Sequence, residues 1–108
     1  MVFNREEIAV TDLGGGVSRR VLAYGGKMLC AEVYFEAGAI GAAHRHEHEQ
    51  IGYVASGSFL YTEEGAEPRV LHAGDTYYVA PNVEHGVKAL EPSVVVDVFT
   101  PQREDFLG

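Results

Sequence analysis

Short hydrophobic runs, separated by glycine, proline and acidic residues, recur along most of the chain. The runs are rich in Val, Tyr, Phe, Leu and Ile, which favour β-strands. They read VSRRVLAY, KMLCAEVYF, QIGYVASG, SFLYTEEG, EPRVLHAGD, TYYVAP, HGVKAL and SVVVDVFT. Turn signals follow about every eight to twelve residues, a spacing typical of sandwiches and small barrels. The pattern therefore predicts an all-β protein.

The connections between the runs are short, and none of them predicts a long helix. The first two runs meet at Gly25-Gly26, which we interpret as a two-residue hairpin turn. The triple glycine before the first run lacks the Lys-Ser/Thr of a phosphate-binding loop, so we interpret it as a flexible connector. No segment shows a sustained 3.6-residue apolar stripe, so any helix is short, and the final TPQREDFLG could close with one helical turn.

Composition and charge narrow the class of protein. The chain has 108 residues, 46% of them hydrophobic and 22% charged, which fits one folded domain. Its formal net charge of −8 argues against nucleic-acid and anionic-membrane partners, which both require basic patches. Cys30 is the single cysteine, so no intrachain disulfide is possible, and we interpret it as a core residue. No signal peptide and no apolar stretch of about 20 residues is visible, so we expect a cytoplasmic protein.

Three histidines at alternate positions mark a candidate metal site. Residues i and i+2 share one face of a strand, so His44 and His46 should project together. Strict alternation would add His48 and Gln50, but a straight strand cannot wrap four ligands around one ion, so the EHE segment should bend. Gln50 would then open the next strand, and His85 follows a Pro-Asn turn at the start of another. Convergence from different strands favours a metal site, although a His-x-His pair alone often arises by chance.

Two longer motifs around these histidines resemble the two motifs of the cupin family. The first runs from Gly38 to Gly57: a glycine, five residues, His-x-His, a short spacer, the position of Gln50, six residues and a glycine. The second is GDTYYVAPNVEH, a glycine followed by a proline-containing turn and a histidine. The resemblance implies a single cupin domain over residues 1–108, folded as a small double-stranded β-helix or jelly-roll barrel, with the metal-binding barrel at about 28–100.

The chain departs from the cupin pattern at three positions. Ala80 replaces a proline and Asn82 a glycine of the second motif, and asparagine tolerates the positive φ of such a turn. Gln50 stands where cupins usually have a glutamate, which makes the ligand set neutral and the ion a stronger Lewis acid. The resemblance implies one divalent ion (Zn, Ni, Fe, Mn or Co) and leaves His48 outside the ligand set. The implied ligands are His44, His46, Gln50 and His85.

The last predicted strand carries a carboxylate among valines. Asp97 and Phe99 share one strand face and should point into the barrel, and Arg103 follows within reach of its mouth. Together with Gln50, this Asp-x-Phe-x-x-x-Arg pattern resembles the cupins that act on unsaturated uronates. The resemblance implies that Arg103 binds the sugar carboxylate, Asp97 moves a proton and Phe99 packs against the sugar ring. The alternatives are a structural Asp97–Arg103 ion pair and a core Phe99.

The activity implied by the resemblance belongs to pectin and alginate degradation. It is a metal-dependent isomerase reaction that opens 4,5-unsaturated monouronates and converts them to linear ketonised 4-deoxy-5-keto uronates. A different metal-dependent cupin, such as a dioxygenase or a sugar isomerase, is an alternative enzyme. A non-catalytic sensor that binds metal and a sugar acid is the alternative from another class of protein.

The outer face of the same strand predicts a partner. Val94, Val96 and Val98 alternate with the inward residues and are equally apolar, so both faces of this strand should be covered. We expect a homodimer, with the N-terminal segment folded over this face as the alternative. Elsewhere, Tyr77 and Tyr78 alternate, so one of them should face the pocket.

Overall fold

The computed structural model describes residues 1–107, which are built mostly of β-strands. A 3-10 helix at Arg5–Glu7 precedes the strands, and a single α-helical turn, α1, closes the chain at Glu104–Leu107. The all-β prediction and the short C-terminal helix are confirmed; Gly108 lies outside the described residues. No helix within them is long and apolar enough to cross a membrane. The strands are β1 (Thr11–Gly14), β2 (Val17–Gly25), β3 (Met28–Phe35), β4 (Ile40–His44), β5 (Glu49–Ser56), β6 (Ser58–Glu63), β7 (Arg69–His72), β8 (Thr76–Val79), β9 (His85–Ala89) and β10 (Ser93–Thr100).

The strands form two antiparallel sheets that enclose a jelly-roll barrel. The larger sheet has the order β1-β2-β3-β10-β5-β8, and the smaller sheet has the order β4-β9-β6-β7. β10, the last strand, pairs with both β3 and β5 in the middle of the larger sheet. Neighbouring strands are often far apart in sequence, because the chain crosses repeatedly from one sheet to the other. β1 and β2, which precede residue 28, extend the larger sheet.

A polar layer lies between two apolar clusters inside the barrel. Along β10, Val95, Asp97 and Phe99 are buried, whereas the valines between them are half-buried, as strand alternation predicts. Val95 belongs to the cluster around Phe59, and Phe99 belongs to a second cluster with Leu29. Asp97 therefore lies inside the barrel between two packed groups of hydrophobic side chains.

Both glycine-rich turns differ in detail from their expected form. Gly25 pairs with Met28 across the β2–β3 hairpin, so the two-residue turn is Gly26-Lys27 rather than Gly25-Gly26. Gly26 has a φ of +54° at the first turn position, where glycine is favoured. The triple glycine is not a flexible connector: Gly14 ends β1 and pairs with Val17, Gly15-Gly16 form the tight turn, and all three have positive φ. The glycines predict where these turns lie, but strand pairing decides which residues form them.

Cys30 lies on the outer side of β3, so its interpretation as a core residue is wrong. It is half-buried between Leu29 and Ala31, which point inward and are almost fully buried. Burial raises the pKa of the Cys30 thiol, which disfavours the reactive thiolate.

Gly57 provides a stability test of the fold. Its φ is +79°, and an added Cβ would lie 2.0 Å from Ser93 Oγ and 2.6 Å from the Pro92 carbonyl oxygen. Gly65 has the same φ of +79°, but an added Cβ there would meet nothing within 4 Å. Both alanine variants carry the backbone strain, and only Gly57→Ala must also displace neighbouring atoms.

We expect Gly57→Ala to lower the free energy of unfolding by about 2 kcal/mol more than Gly65→Ala. Urea denaturation of the two metal-free variants measures the difference, and the shared φ cancels the contribution of strain. Equal losses in the two variants would contradict close packing at Gly57.

Candidate functional site

The three predicted histidine ligands converge from different elements. His44 is the last residue of β4 and pairs with His85, the first residue of β9. His46 lies two residues beyond β4, so the expectation that it shares a strand with His44 is wrong. β4 ends at His44 because its partner β9 begins directly opposite. The chain then bends at residues 47–48, as expected, and Gln50 is buried in β5.

The ligand atoms of this histidine triad could hold a metal ion. One ring nitrogen from each of His44, His46 and His85 lies within 4.8 Å of the others. Gln50 Oε1 is 3.0 Å from His46 Nε2, so the amide oxygen faces the same point. Donors around one ion lie roughly 3 to 4 Å apart, which matches the 3.0 Å contact, and the limit of 4.8 Å between the ring nitrogens is wider.

Backbone contacts prepare all three rings for metal binding. His44 Nδ1 is 2.9 Å from the Ala42 carbonyl oxygen, His46 Nδ1 is 2.9 Å from that of His48, and His85 Nδ1 is 3.0 Å from that of Val83. An Nδ1–H that donates to a carbonyl leaves the Nε2 lone pair free for a metal. Burial lowers the pKa of both His46 and His85, which favours the neutral form that a ligand requires. The donor set therefore fits the ion that the sequence motifs imply.

Gln50 joins the histidine triad to a buried carboxylate. Its Nε2 donates to Asp97 Oδ1 at 2.9 Å, which turns its Oε1 toward His46. Gln50 and Asp97 are diagonal neighbours on the paired strands β5 and β10, a position from which side chains of this size can meet. Both are nearly inaccessible, at 4% and 7% exposure.

The surroundings of Asp97 favour its neutral form. Burial raises the pKa of Asp97 to about 6, although hydrogen bonds from Gln50 and Tyr77 and the charge of Arg103 oppose the rise. A carboxyl group with a pKa near neutrality can both accept and release a proton at physiological pH.

Phe99 and Arg103 lie beside the triad with the C-terminal helix. Phe99 is 3% exposed, its ring centroid is 5.8 Å from that of His46, and it belongs to the second apolar cluster. The Arg103 guanidinium carbon is 5.0 Å from the Phe99 ring centroid and 4.3 Å from that of Phe106. Arg103 donates to Asp105 through Nε at 3.0 Å and a terminal nitrogen at 2.8 Å. Its ion-pair partner among residues 1–107 is thus Asp105, not Asp97 as one alternative supposed.

Three further residues line the site without having been predicted to act there. Tyr77 donates to Asp97 Oδ1 at 2.9 Å, and Tyr61 stacks on the Tyr77 ring at 4.6 Å between centroids. Tyr61 in turn donates to Glu63 at 2.8 Å. The alternation of Tyr77 and Tyr78 correctly indicated one inward tyrosine, and the spacing of Tyr61 and Glu63 in β6 is a similar signal. Strand alternation alone does not predict the contact between Tyr77 and Asp97.

The remaining histidines lie outside the triad. His48 Nε2 is 3.0 Å from the Gln102 carbonyl oxygen, and its backbone oxygen faces His46 Nδ1. It therefore supports the triad from outside, as expected. His72 is exposed at the end of β7.

Comparisons with known proteins agree with this architecture. Residues 31–99 match the family described as Cupin domain. The pectin degradation protein KdgF of Dickeya dadantii (strain 3937) is 43% identical over 107 residues, which cover 97% of this chain and 96% of that protein.

Two similar solved structures share the whole fold. KdgF from Halomonas sp. is 39% identical with a TM-score of 0.93, over 98% of this chain and 99% of that one. An RmlC-like cupin from Shewanella frigidimarina NCIMB 400 is 35% identical with a TM-score of 0.93, over 97% and 94% of the two chains. The family match spans more than half of the chain and contains the histidine triad, and the chain therefore belongs to the cupin family.

Proposed function

We propose that this protein is a cytoplasmic isomerase that opens 4,5-unsaturated monouronates and converts them to linear ketonised 4-deoxy-5-keto uronates. The similarity to a pectin degradation protein supports uronates as the substrate class, whether pectin or alginate lyases release them. The observation that carries the proposal is the hydrogen bond between Gln50 and the buried Asp97. This contact supports the proposal, because it joins a buried carboxyl group to residues that could hold a Lewis acid.

We infer that the histidine triad and Gln50 hold one divalent ion, such as Zn, Ni, Fe, Mn or Co. When bound, such an ion supplies Lewis acidity that polarises a substrate oxygen. None of these four side chains carries a negative charge, so the protein ligands do not offset the charge of the ion. This favours the polarisation of sugar oxygens over a dioxygenase reaction.

Asp97 has the properties that the proposed reaction requires of a proton carrier. Ring opening removes a proton from the anomeric hydroxyl as the ring C–O bond breaks, and ketonisation adds a proton at C4 as C5 becomes a carbonyl carbon. One carboxyl group can accept the first proton and deliver the second. The pKa of Asp97 of about 6 suits both steps near neutral pH.

We infer that Arg103 binds the carboxylate of the sugar. Its side chain is 13% exposed, and its planar fork already holds one carboxylate, that of Asp105. The substrate carboxylate would exchange with Asp105, which is 60% exposed on its side chain and free to turn into solvent. Phe99 forms the apolar wall that keeps both Arg103 and His46 in position.

The proposed reaction consumes an alkene, so its progress is visible as a loss of ultraviolet absorbance. We expect the protein loaded with a divalent ion to accelerate this loss for unsaturated galacturonate well above the spontaneous rate. Substrate binding without acceleration would instead indicate a sensor, and oxygen consumption would indicate a dioxygenase.

Two variants distinguish loss of the metal from loss of proton transfer in this assay. Asp97→Asn keeps an oxygen that accepts from Gln50, so we expect it to retain the metal while turnover falls by about a hundredfold or more. His46→Ala removes a ligand and should lose both metal and turnover. His72→Ala, at an exposed strand end, is the control and should match the wild type. Equal metal loss in the Asp97 and His46 variants would contradict the assigned roles.

The raised pKa of Asp97 also makes a prediction about stability. Ionisation is disfavoured in the folded protein, so the cost of an ionised Asp97 grows as pH rises from its usual pKa of 3.8 to about 6. We expect the stability of metal-free Asp97→Asn, relative to the wild type, to increase by about 2.4 kcal/mol between pH 4 and pH 8. Urea denaturation at both pH values measures the change, and a pH-independent difference would contradict it.

We also propose that the protein forms a homodimer through the outer face of β10 and β5. Val94, Val96 and Val98 are half-buried there, and next to them Ile51 is 53% exposed and Tyr53 is 47% exposed. The N-terminal segment lies over β3, on the side of β10 away from β5: Arg5 donates to Glu32 and Tyr34 there. The apolar surface of β5 is therefore left for a second copy.

Light scattering during size-exclusion chromatography tests the dimer directly. We expect the wild type to have the mass of two chains and Ile51→Glu to have the mass of one. Val70→Glu, at an equally exposed valine on β7 of the other sheet, should remain a dimer. A wild-type mass of one chain would refute the proposal.

A further inference from the structure

Tyr77, Gly52 and Asp97 lie side by side on three neighbouring strands. In the larger sheet, Tyr77 on β8 pairs with Gly52 on β5, and Gly52 pairs with Asp97 on β10. Paired residues point to the same face of a sheet, so all three positions face the interior of the barrel. Any side chain at position 52 would stand between the tyrosine and the carboxylate.

The missing side chain of Gly52 lets Tyr77 reach Asp97. A Cβ added at Gly52 would lie 2.2 Å from Tyr77 Cζ and 2.6 Å from its hydroxyl oxygen, so the ring occupies that space. The hydroxyl then donates to Asp97 Oδ1 at 2.9 Å across the intervening strand. Glycine inside a strand often marks such a close approach. The opposite sheet holds the ring from its other side, through the stacked Tyr61.

Both hydrogen bonds that Asp97 receives end on the same oxygen. Gln50 Nε2 and the Tyr77 hydroxyl each donate to Oδ1 at 2.9 Å, and within residues 1–107 Oδ2 has no protein partner. The two donors therefore fix the plane of the carboxyl group and leave Oδ2 without a donor among the described residues.

We propose that Tyr77 is a positioning residue: together with Gln50 it fixes Asp97 Oδ1, so that Oδ2 is the oxygen that exchanges protons with the substrate. This inference rests on the proposed function of Asp97. Burial raises the pKa of Tyr77 well above its usual value, which keeps its hydroxyl protonated and donating. Gly52 and Tyr61 act through Tyr77, because they hold its ring in place.

Tyr77→Phe removes the hydroxyl and keeps the ring. We expect kcat to fall about ten- to a hundredfold, the range lost with a hydrogen bond to a charged group, while KM stays within threefold. Affinity for Co²⁺, measured by titration, should also stay within threefold, because no histidine contact changes. Tyr78→Phe on the same strand, whose exposed hydroxyl donates to Glu49, is the control and should keep the wild-type kcat. A kcat within twofold of the wild type in Tyr77→Phe, or a loss explained by KM or by metal binding, would overturn the proposal.

Gly52→Ala tests the same geometry with Tyr77 intact. The added methyl group must displace the ring, so kcat should fall as in Tyr77→Phe, and the double variant should lose no more than either single variant. Additive losses would mean that Gly52 and Tyr77 act separately. If Gly52→Ala fails to fold, Tyr77→Phe alone decides.

A crystal structure of the Co²⁺-loaded Tyr77→Phe variant tests the inference without any turnover. We expect the Asp97 carboxyl plane to rotate by about 30° or more relative to the wild type, because one of its two anchors is gone. An unchanged carboxyl group would contradict the positioning role, whatever the substrate. Absence of turnover in the wild type would instead contradict the proposed function and leave this structural comparison intact.

Discussion

The hydrogen bond from Gln50 Nε2 to Asp97 Oδ1 connects the two parts of the candidate site. On one side Gln50 presents its oxygen to the histidine triad, and on the other it holds a carboxyl group in an apolar wall. An amide cannot reverse these roles without giving up one contact, since only its nitrogen donates. The position of the metal donors and the position of the proton carrier are therefore determined together.

This contact explains why a glutamine occupies the position where cupins usually carry a glutamate. A carboxylate at position 50 could not donate to Asp97, and two like charges would meet in a space that excludes water. One of the two groups would then be forced into its protonated form. Gln50 donates a hydrogen bond to Asp97 and still offers an oxygen to the triad. The neutral ligand is therefore what allows the buried acid beside it.

Much of the site could be predicted because strands impose a period of two on their side chains. That period placed Asp97 and Phe99 inside the barrel and left Val96 outside, and the motif spacing brought His85 to His44. Two details depended on where strands end and were missed. His46 lies beyond β4, because β9 offers no further partner, and Arg103 pairs with Asp105 inside the C-terminal turn.

The row formed by Tyr77, Gly52 and Asp97 could not be predicted, because it depends on the register between three strands that are far apart in sequence. Alternation assigns each residue to a face but says nothing about its neighbour on the next strand. A glycine inside the hydrophobic pattern of β5 was nevertheless visible, and such a residue lowers the stability of a strand unless something occupies its space. Here the Tyr77 ring occupies that space. Gly52 lowers the stability of β5, but without it the tyrosine of β8 could not reach the site.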